Sequence, residues 1–132
     1  MKYFITACAA AALMLGACDS SKPDIANPEL LKGKAFYVSE NGTHIILDFD
    51  ETELMVSGEV VNHYSGPYVA SGNKITFQPF VSTMKMGEPE AMKVEQEYFN
   101  FMSNAETYSI DDYKLTITDK DGNTMTFEVI AK

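Results

Sequence analysis

The chain has 132 residues, of which 19 are acidic and 10 basic, giving a formal net charge of −9. Every basic residue is lysine. This charge argues against nucleic-acid binding, and without arginine the chain lacks the forked donor best suited to bidentate phosphate recognition. About 100 residues follow the N-terminal segment, enough for one hydrophobic core and too few for two.

The N-terminal segment has the layout of a secretory signal peptide. Lys2 supplies a positive charge, a short alanine-rich apolar run follows, and small residues stand at Gly16 and Ala17. The chain turns polar at Asp19. The apolar run is shorter than the roughly 20 residues that a membrane span needs. We therefore expect residues 1–17 to be a cleaved signal peptide.

The stretch from Leu15 to Cys18 (LGAC) resembles the lipobox of bacterial lipoproteins, whose cysteine becomes the acylated first residue. The resemblance implies a cell-envelope protein, lipid-anchored at Cys18 and facing the periplasm or the exterior. Asp19 resembles the inner-membrane retention signal of some bacteria, so inner and outer membrane both stay open. An ordinary signal peptide and an uncleaved anchor are the alternatives. Cys8 would leave with the signal and Cys18 would carry lipid, so the mature domain would hold no disulfide or free thiol.

Residues 18–30 are predicted to be the lipidated cysteine and a polar linker, in which Asn27 and Pro28 favour a brief helical turn. Period-two alternation then recurs in short segments. Asn41-Gly42 predicts a tight hairpin and Gly58 a bulge or bend, and Pro79 predicts either the end of its strand or an edge position for it. The predicted strands are 35–40, 43–50, 54–62, 68–70, 74–80, 106–110, 113–118 and 123–130.

One amphipathic helix is predicted over residues 88–103. Its apolar side contains Ala91, Val94, Tyr98, Phe101 and Met102, and its far side Lys93, Glu95, Gln96 and Glu97. About eight strands joined by tight turns form a curved antiparallel sheet, which needs one long element to fill it. The sequence therefore predicts an α+β domain over residues 31–132, a partly open β-barrel packed around one helix.

Several short motifs, taken in order, resemble the META domain family, which includes HslJ-like proteins. The most specific is Asn62-x-Tyr64-x-Gly66-x-Tyr68 followed by Thr83-x-x-Met86. Val56-Ser57-Gly58, Glu95, Phe99 and Tyr108-Ser109-Ile110 also agree. The resemblance runs from about Leu31 to the C-terminus and implies an exported, stress-related domain of mostly undefined activity. Val60-Val61 and Gly87 stand where family members often have cysteines, which removes the basis for a redox role.

Residues 62–68 have two interpretations. The segment is a structural corner, in which Asn62 bonds to backbone, Tyr64 and Tyr68 pack together and Gly66 adopts a positive φ. Alternatively it is a ligand-binding loop. Asn62, Tyr64, Tyr68, Met84 and Met86 are the candidate ligand or partner contacts.

The methionines of the Met84-Lys85-Met86 stretch have three alternative roles. Methionine commonly fills core gaps, which is the interpretation we expect; it also lines adaptable apolar grooves. Spaced thioethers can hold Cu(I), the third and weakest alternative.

No catalytic, metal or cofactor site is predicted. His44 and His63 lack an evident third zinc ligand, and His44 is expected to be exposed. Asp119-Lys120-Asp121-Gly122-Asn123 begins like a calcium loop, but Thr124 occupies the position that requires glycine, which favours a hairpin turn. No nucleophile-elbow, P-loop, zinc-protease or dinucleotide motif is present.

Three functions follow. The first is a non-enzymatic, membrane-anchored lipoprotein that binds a protein partner or supports the envelope under stress. The second is a pilotin-like carrier of an apolar ligand or lipid tail, with a cavity lined by Met84, Met86, Met92, Tyr98, Phe101 and Met102; this is an analogy of fold only. The third, a hydrolase, has no motif in its favour.

Overall fold

The computed structural model describes residues 26–130. A 3₁₀ turn (Pro28–Leu30) precedes nine strands and one helix. The strands are β1 (Ala35–Glu40), β2 (Thr43–Phe49), β3 (Met55–Glu59), β4 (His63–Ser71), β5 (Lys74–Phe77), β6 (Val81–Ser82), β7 (Ala105–Ile110), β8 (Lys114–Asp119) and β9 (Thr124–Ile130). The helix α1 (Pro89–Ser103) lies between β6 and β7.

The strands form one antiparallel sheet that closes on itself. Its order is β3-β2-β1-β9-β8-β7-β5-β4, and pairing of β3 with β4 completes a ring of eight strands. The ninth strand, β6, pairs with the first residues of β4. The junction of β5 and β7 is the thinnest, with Lys74 opposite Thr107 as its one registered pair. The predicted α+β barrel of about eight strands with one helix is confirmed.

Turn chemistry sets the register of two hairpins at one end of the barrel. Asn41 (φ 50°) and Gly42 (φ 83°) join β1 to β2 in the left-handed conformation that this hairpin requires. Between β8 and β9, Asp119 Oδ1 accepts the backbone N–H groups of Asp121 and Asn123, both at 2.9 Å. Desolvation raises the pKa of Asp119, but the Asn123 side-chain amide and these backbone bonds outweigh it and hold that pKa below its usual value. Residues 119–123 therefore form the predicted hairpin turn.

The helix α1 lies across one end of the barrel. Val94, Tyr98 and Met102 recur at helical spacing and are buried, as the apolar pattern predicted. The Tyr98 ring meets that of Phe127 from β9 at 6.4 Å and that of Tyr64 from β4 at 5.6 Å. The helix thus covers the end at which the β1–β2, β3–β4 and β8–β9 turns lie.

The 3₁₀ turn lies near the opposite end. Asn27 caps it by accepting the Glu29 N–H at 3.0 Å, as predicted. The following residues pair with the end of β2, where Gly33 donates to the Phe49 carbonyl at 3.0 Å and Phe49 donates to Lys34 at 2.9 Å. Leu31 is fully buried and packs into the core.

Side chains fill the interior of the barrel. Phe49 packs edge-on against Phe36 and Tyr68, at centroid distances of 5.9 and 5.1 Å. The largest fully buried side chains are Tyr68, Tyr98, Phe36, Phe49, Phe127, Leu31, Ile45, Leu47, Ile75, Met102, Leu115 and Ile117. Large rings are the efficient way to fill a barrel of this size, because each buries a large apolar area.

Five details of the predicted strands are wrong. The third strand ends at Glu59 rather than Asn62, and its register through Gly58 is continuous, so there is no bulge. Residues 63–71 form one strand rather than a corner followed by a short strand. The fifth strand ends at Phe77, with Pro79 beyond it, and β6 was missed because it has only two residues.

The predicted signal peptide (1–17), Cys18 and the predicted linker as far as residue 25 lie outside the described residues. Among residues 26–130, no helix is both long enough and apolar enough to span a membrane.

Candidate functional site

An open cleft of about 540 Å³ lies beside the first turns of α1. Its wall is formed by the extended segment 82–86, which follows β6, and by the helix. The lining residues are Asn62, Ser82, Thr83, Met84, Lys85, Met86, Pro89, Met92, Lys93, Glu95, Gln96 and Phe99. Three of the five candidate contact residues therefore meet at one place: Asn62, Met84 and Met86.

A buried carboxylate anchors the floor of this cleft. Glu95 is 5% exposed, although the sequence had placed it on the solvent side of the helix. Its Oε2 accepts the backbone N–H of Asn62 at 2.7 Å and that of Val61 at 3.1 Å. Its Oε1 accepts Asn62 Nδ2 at 3.0 Å. The carboxylate thus satisfies three donors of the β3–β4 turn with charge-assisted bonds.

The side chain of Asn62 in turn holds the segment 82–86 in place through hydrogen bonds. Its Oδ1 accepts the Lys85 N–H at 2.5 Å and the Thr83 hydroxyl at 2.9 Å, and its Nδ2 reaches the Lys85 carbonyl at 3.3 Å. One side-chain amide reaches both backbone groups of Lys85, so these groups point the same way, as in a strand. Asn62 does bond to backbone, but to that of Lys85, 23 residues away, rather than within the corner that the sequence predicted. The backbone of the cleft wall is fixed by these bonds.

Behind the anchor lies a second buried polar contact. The Tyr64 hydroxyl donates to the Ile46 carbonyl at 2.6 Å and lies 2.5 Å from the Tyr98 hydroxyl. Gly58 leaves the space for this contact, since a Cβ there would lie 1.9 Å from the Ile46 oxygen and 2.6 Å from the Tyr64 hydroxyl. Burial raises the pKa of both tyrosines, so both hydroxyls stay protonated.

Gly66 is also required for close approach. It is absent from the described positive-φ residues, so the predicted left-handed conformation is wrong. A Cβ at Gly66 would lie 2.9 Å from the ring of Phe80, which itself stacks on Tyr64 at 4.8 Å. Glycine is needed here for space rather than for backbone freedom.

Met84 and Met86 are 90% and 87% exposed, so the expectation that they fill the core is wrong. Segment 82–86 is held against β4 by backbone and Asn62 contacts, which leaves these side chains in solvent. An exposed large apolar side chain is common singly, but two on one fixed segment form an apolar surface next to a cleft.

Tyr68 lies apart from the cleft. It is fully buried among Phe49 and Phe77, toward the end of the barrel that carries the 3₁₀ turn. Its hydroxyl has no hydrogen-bond partner among the described residues. Burial raises the pKa of Tyr68 most, and the negative charges of Glu29 and Asp50 raise it further. Tyr68 is thus a core residue, and it does not reach the surface that Met84 and Met86 share.

The two histidines do not form a site. His44 is exposed, as predicted, with its ring 6.5 Å from that of Tyr37. His63 Nε2 lies 3.7 Å from a Glu59 carboxylate oxygen on the surface. Within the described part of the chain, no three histidine, cysteine or acidic side chains converge as a metal site would require.

Glu95 is the residue that sequence reasoning misplaced. Its position is four residues after Ala91 and three before Tyr98, which puts it on the apolar stripe. A carboxylate on such a stripe is the signal of a buried, hydrogen-bonded anchor. Lys93 is exposed, as the sequence predicted, and it also lines the cleft.

Comparison with known proteins agrees with this architecture. An NMR structure of a protein from Burkholderia xenovorans superposes with a TM-score of 0.70 at 18% identity, covering 85% of this chain and 94% of that one. A second NMR structure gives a TM-score of 0.64 at 21% identity, covering 79% and 95%. These likenesses show the fold. No curated protein matches the chain. The family model described as META domain matches residues 29–132, and the chain therefore belongs to the META domain family.

Proposed function

We propose that this chain is an exported lipoprotein, anchored through acyl groups on Cys18, whose META domain binds a protein partner in the cell envelope at the cleft beside α1. The META domain is not a known enzyme family. The observation that carries the binding role is the fixed segment 82–86, which holds Met84 and Met86 almost fully in solvent beside an open cleft.

The anchor is supported by the sequence alone. Residues 15–18 agree with a lipobox at four consecutive positions, and a polar linker separates Cys18 from the domain. One acyl chain binds a membrane reversibly, whereas two or three hold firmly. The net charge of −9 would repel anionic head groups, so membrane contact would depend on the lipid.

Fractionation tests the anchor. The native chain should pellet with membranes through a salt wash, and Cys18→Ser should move it to the soluble fraction. Cys8→Ser is the matched control, because Cys8 would be removed with residues 1–17. Intact mass should show an acyl increment on a chain that begins at Cys18. A native product that retains residues 1–17, or that has no added acyl mass, would refute the anchor.

The binding role is supported by chemistry and by rigidity. Methionine side chains are polarizable and flexible, so they adapt to an apolar partner surface. The backbone that carries them is fixed by Asn62 and Glu95, which reduces the entropy lost on binding. Exposed flexible side chains on a fixed backbone suit a recognition surface.

Site-specific photo-crosslinking in cells tests the binding role. A photoreactive residue replaces Met86, and the control variant carries it at Val69, which is 55% exposed on β4. A protein adduct formed at position 86 and absent at 69 should be identified, purified and shown to bind the full chain in solution. The same purified partner should lose binding to Met86→Glu. Equal adducts at both positions, or none at 86, would refute the role.

A carrier of an apolar ligand is the second candidate, and the burial of its predicted lining residues supports a site outside the barrel. Of the side chains predicted to line a cavity, Tyr98 and Met102 are buried in the core. Met84, Met86 and Met92 line the external cleft. A ligand would therefore bind outside the barrel wall. The stress-related role implied by the resemblance stays a prediction.

A further inference from the structure

Two lysines line the cleft, and neither forms a salt bridge with a carboxylate of residues 26–130. Lys85 projects from the wall segment and Lys93 from the second turn of α1. Of the salt bridges between described residues, one joins Lys32 to Glu29 and the other joins His63 to Glu59. Glu95, the acidic residue of the lining, accepts three hydrogen bonds from the β3–β4 turn. In a chain of net charge −9, this cleft presents positive charge.

The rest of the lining is largely apolar. Met84, Met86 and Met92 contribute thioethers, and Pro89 and Phe99 add a ring surface each. A volume of about 540 Å³ lies within the range typical of small-molecule sites, roughly 300–1,000 Å³. Apolar walls with a few placed polar groups are the usual composition of such sites.

We propose that the cleft binds an anionic single-chain amphiphile, with its head group at Lys85 and Lys93 and its acyl chain along the methionines and Phe99. This inference rests on the second candidate function, since an anchored envelope protein lies next to the source of fatty acids and lysophospholipids. The shared chemistry is one acyl chain with a carboxylate or phosphate head. Burial of the acyl chain favours binding, because each methylene removed from water adds to the transfer free energy.

Charge also disfavours a second copy of the chain as the occupant. Two copies would each carry a net charge of −9, and a two-fold contact centred on the cleft would bring the lysines of both copies to one interface. An anionic amphiphile instead offers these lysines an opposite charge and covers the exposed thioethers.

The test is an amide NMR titration of the full chain carrying Cys18→Ser, so that no acyl group of its own competes. The probes are sodium decanoate, decanol and decyltrimethylammonium, each below its micelle concentration. Decanoate should give saturating shifts in residues 82–96 and bind about tenfold more tightly than decyltrimethylammonium. Decanol should fall between them. Decyl phosphate in place of decanoate distinguishes a phosphate head from a carboxylate.

Variants separate charge from apolar contact. Lys85→Gln with Lys93→Gln should weaken decanoate binding about fivefold and leave decanol unchanged. The control pair is Lys74→Gln with Lys114→Gln, two exposed lysines at the opposite end of the barrel, and should change neither. Met86→Glu alters an 87% exposed side chain, so the fold should hold while decanoate binding is lost.

Equal binding of the cationic and anionic probes, or shifts outside residues 82–96, would overturn the proposal. Absence of decanoate and decyl phosphate binding would also overturn it. If crosslinking at position 86 still yields a protein partner that binds in solution, the partner-binding function stands and only the amphiphile is wrong. If both tests are negative, both proposals fall.

Discussion

Replacing Glu95 by glutamine should be strongly destabilising, although the side chain keeps its size. The carboxylate accepts three donors, the N–H groups of Val61 and Asn62 and the Nδ2 group of Asn62. A glutamine can still accept at one atom, but its NH₂ group must then face a donor. Asn62 cannot turn its oxygen inward, because its Oδ1 already accepts from Lys85 and Thr83.

The expected cost follows from these contacts. Leaving a buried donor unsatisfied costs about 1–3 kcal/mol, and hydrogen bonds to a charged acceptor are roughly twice as strong as neutral ones. Together we expect Glu95→Gln to lower the free energy of unfolding by about 3 kcal/mol. For a domain of about 100 residues, this corresponds to a fall in Tm of about 12–24 °C.

Thermal and urea unfolding followed by circular dichroism measure this change. Glu97→Gln is the matched control, because Glu97 lies on the same helix and is exposed; it should change stability by less than about 0.5 kcal/mol. The amide signals of Lys85 and Met86 should also broaden or shift in Glu95→Gln, since Asn62 loses its support. A Glu95→Gln chain as stable as Glu97→Gln would refute the reasoning that this network anchors the cleft wall.

Three further predictions concern packing and pH. Gly58→Ala places a methyl group 1.9 Å from the Ile46 oxygen, and should lower the unfolding free energy by about 1–3 kcal/mol in urea titrations; an unchanged midpoint would contradict the close approach. Met86→Ala should change the free energy of unfolding by less than about 0.5 kcal/mol, because the side chain is exposed. Met102→Ala should lower it by about 2–5 kcal/mol, because Met102 is fully buried. Equal effects of the two substitutions would show that Met86 packs in the core. Burial raises the pKa of Tyr108 to about 12 from 10.0, so the unfolded chain loses this proton first. The contribution of Tyr108 to stability should therefore be complete below pH 10 and be lost between pH 10 and about 12, which the difference in pH-dependent urea midpoints between the native chain and Tyr108→Phe would measure.

The barrel could be predicted because its pattern is local. Alternation of buried and exposed residues along a strand follows from the period of two, and Asn41-Gly42 requires a hairpin by its own backbone conformation. The helix α1 was found within one residue of its start because its apolar stripe has a period near 3.6. The 3₁₀ turn could be predicted for the same reason, because its capping residue, Asn27, directly precedes it in the sequence.

The cleft could be predicted only in part. Asn62 was expected to bond to nearby backbone, but its partners Lys85 and Glu95 lie 23 and 33 residues away. The short strand β6 depends on pairing with β4, so the exposure of Met84 and Met86 follows from that pairing. A run of methionines is equally consistent with a core and with a surface.

The sequence by itself determined the class of the fold, its turns and the expectation of a lipid anchor, because each depends on residues that are close along the chain. Only the tertiary structure decided that Glu95 is a buried anchor, that Gly58 and Gly66 make room for side chains from other elements, and that Lys85 and Lys93 meet at one cleft. These features depend on which distant elements pack together. The period of a strand or a helix gives the direction of a side chain and leaves its partner open.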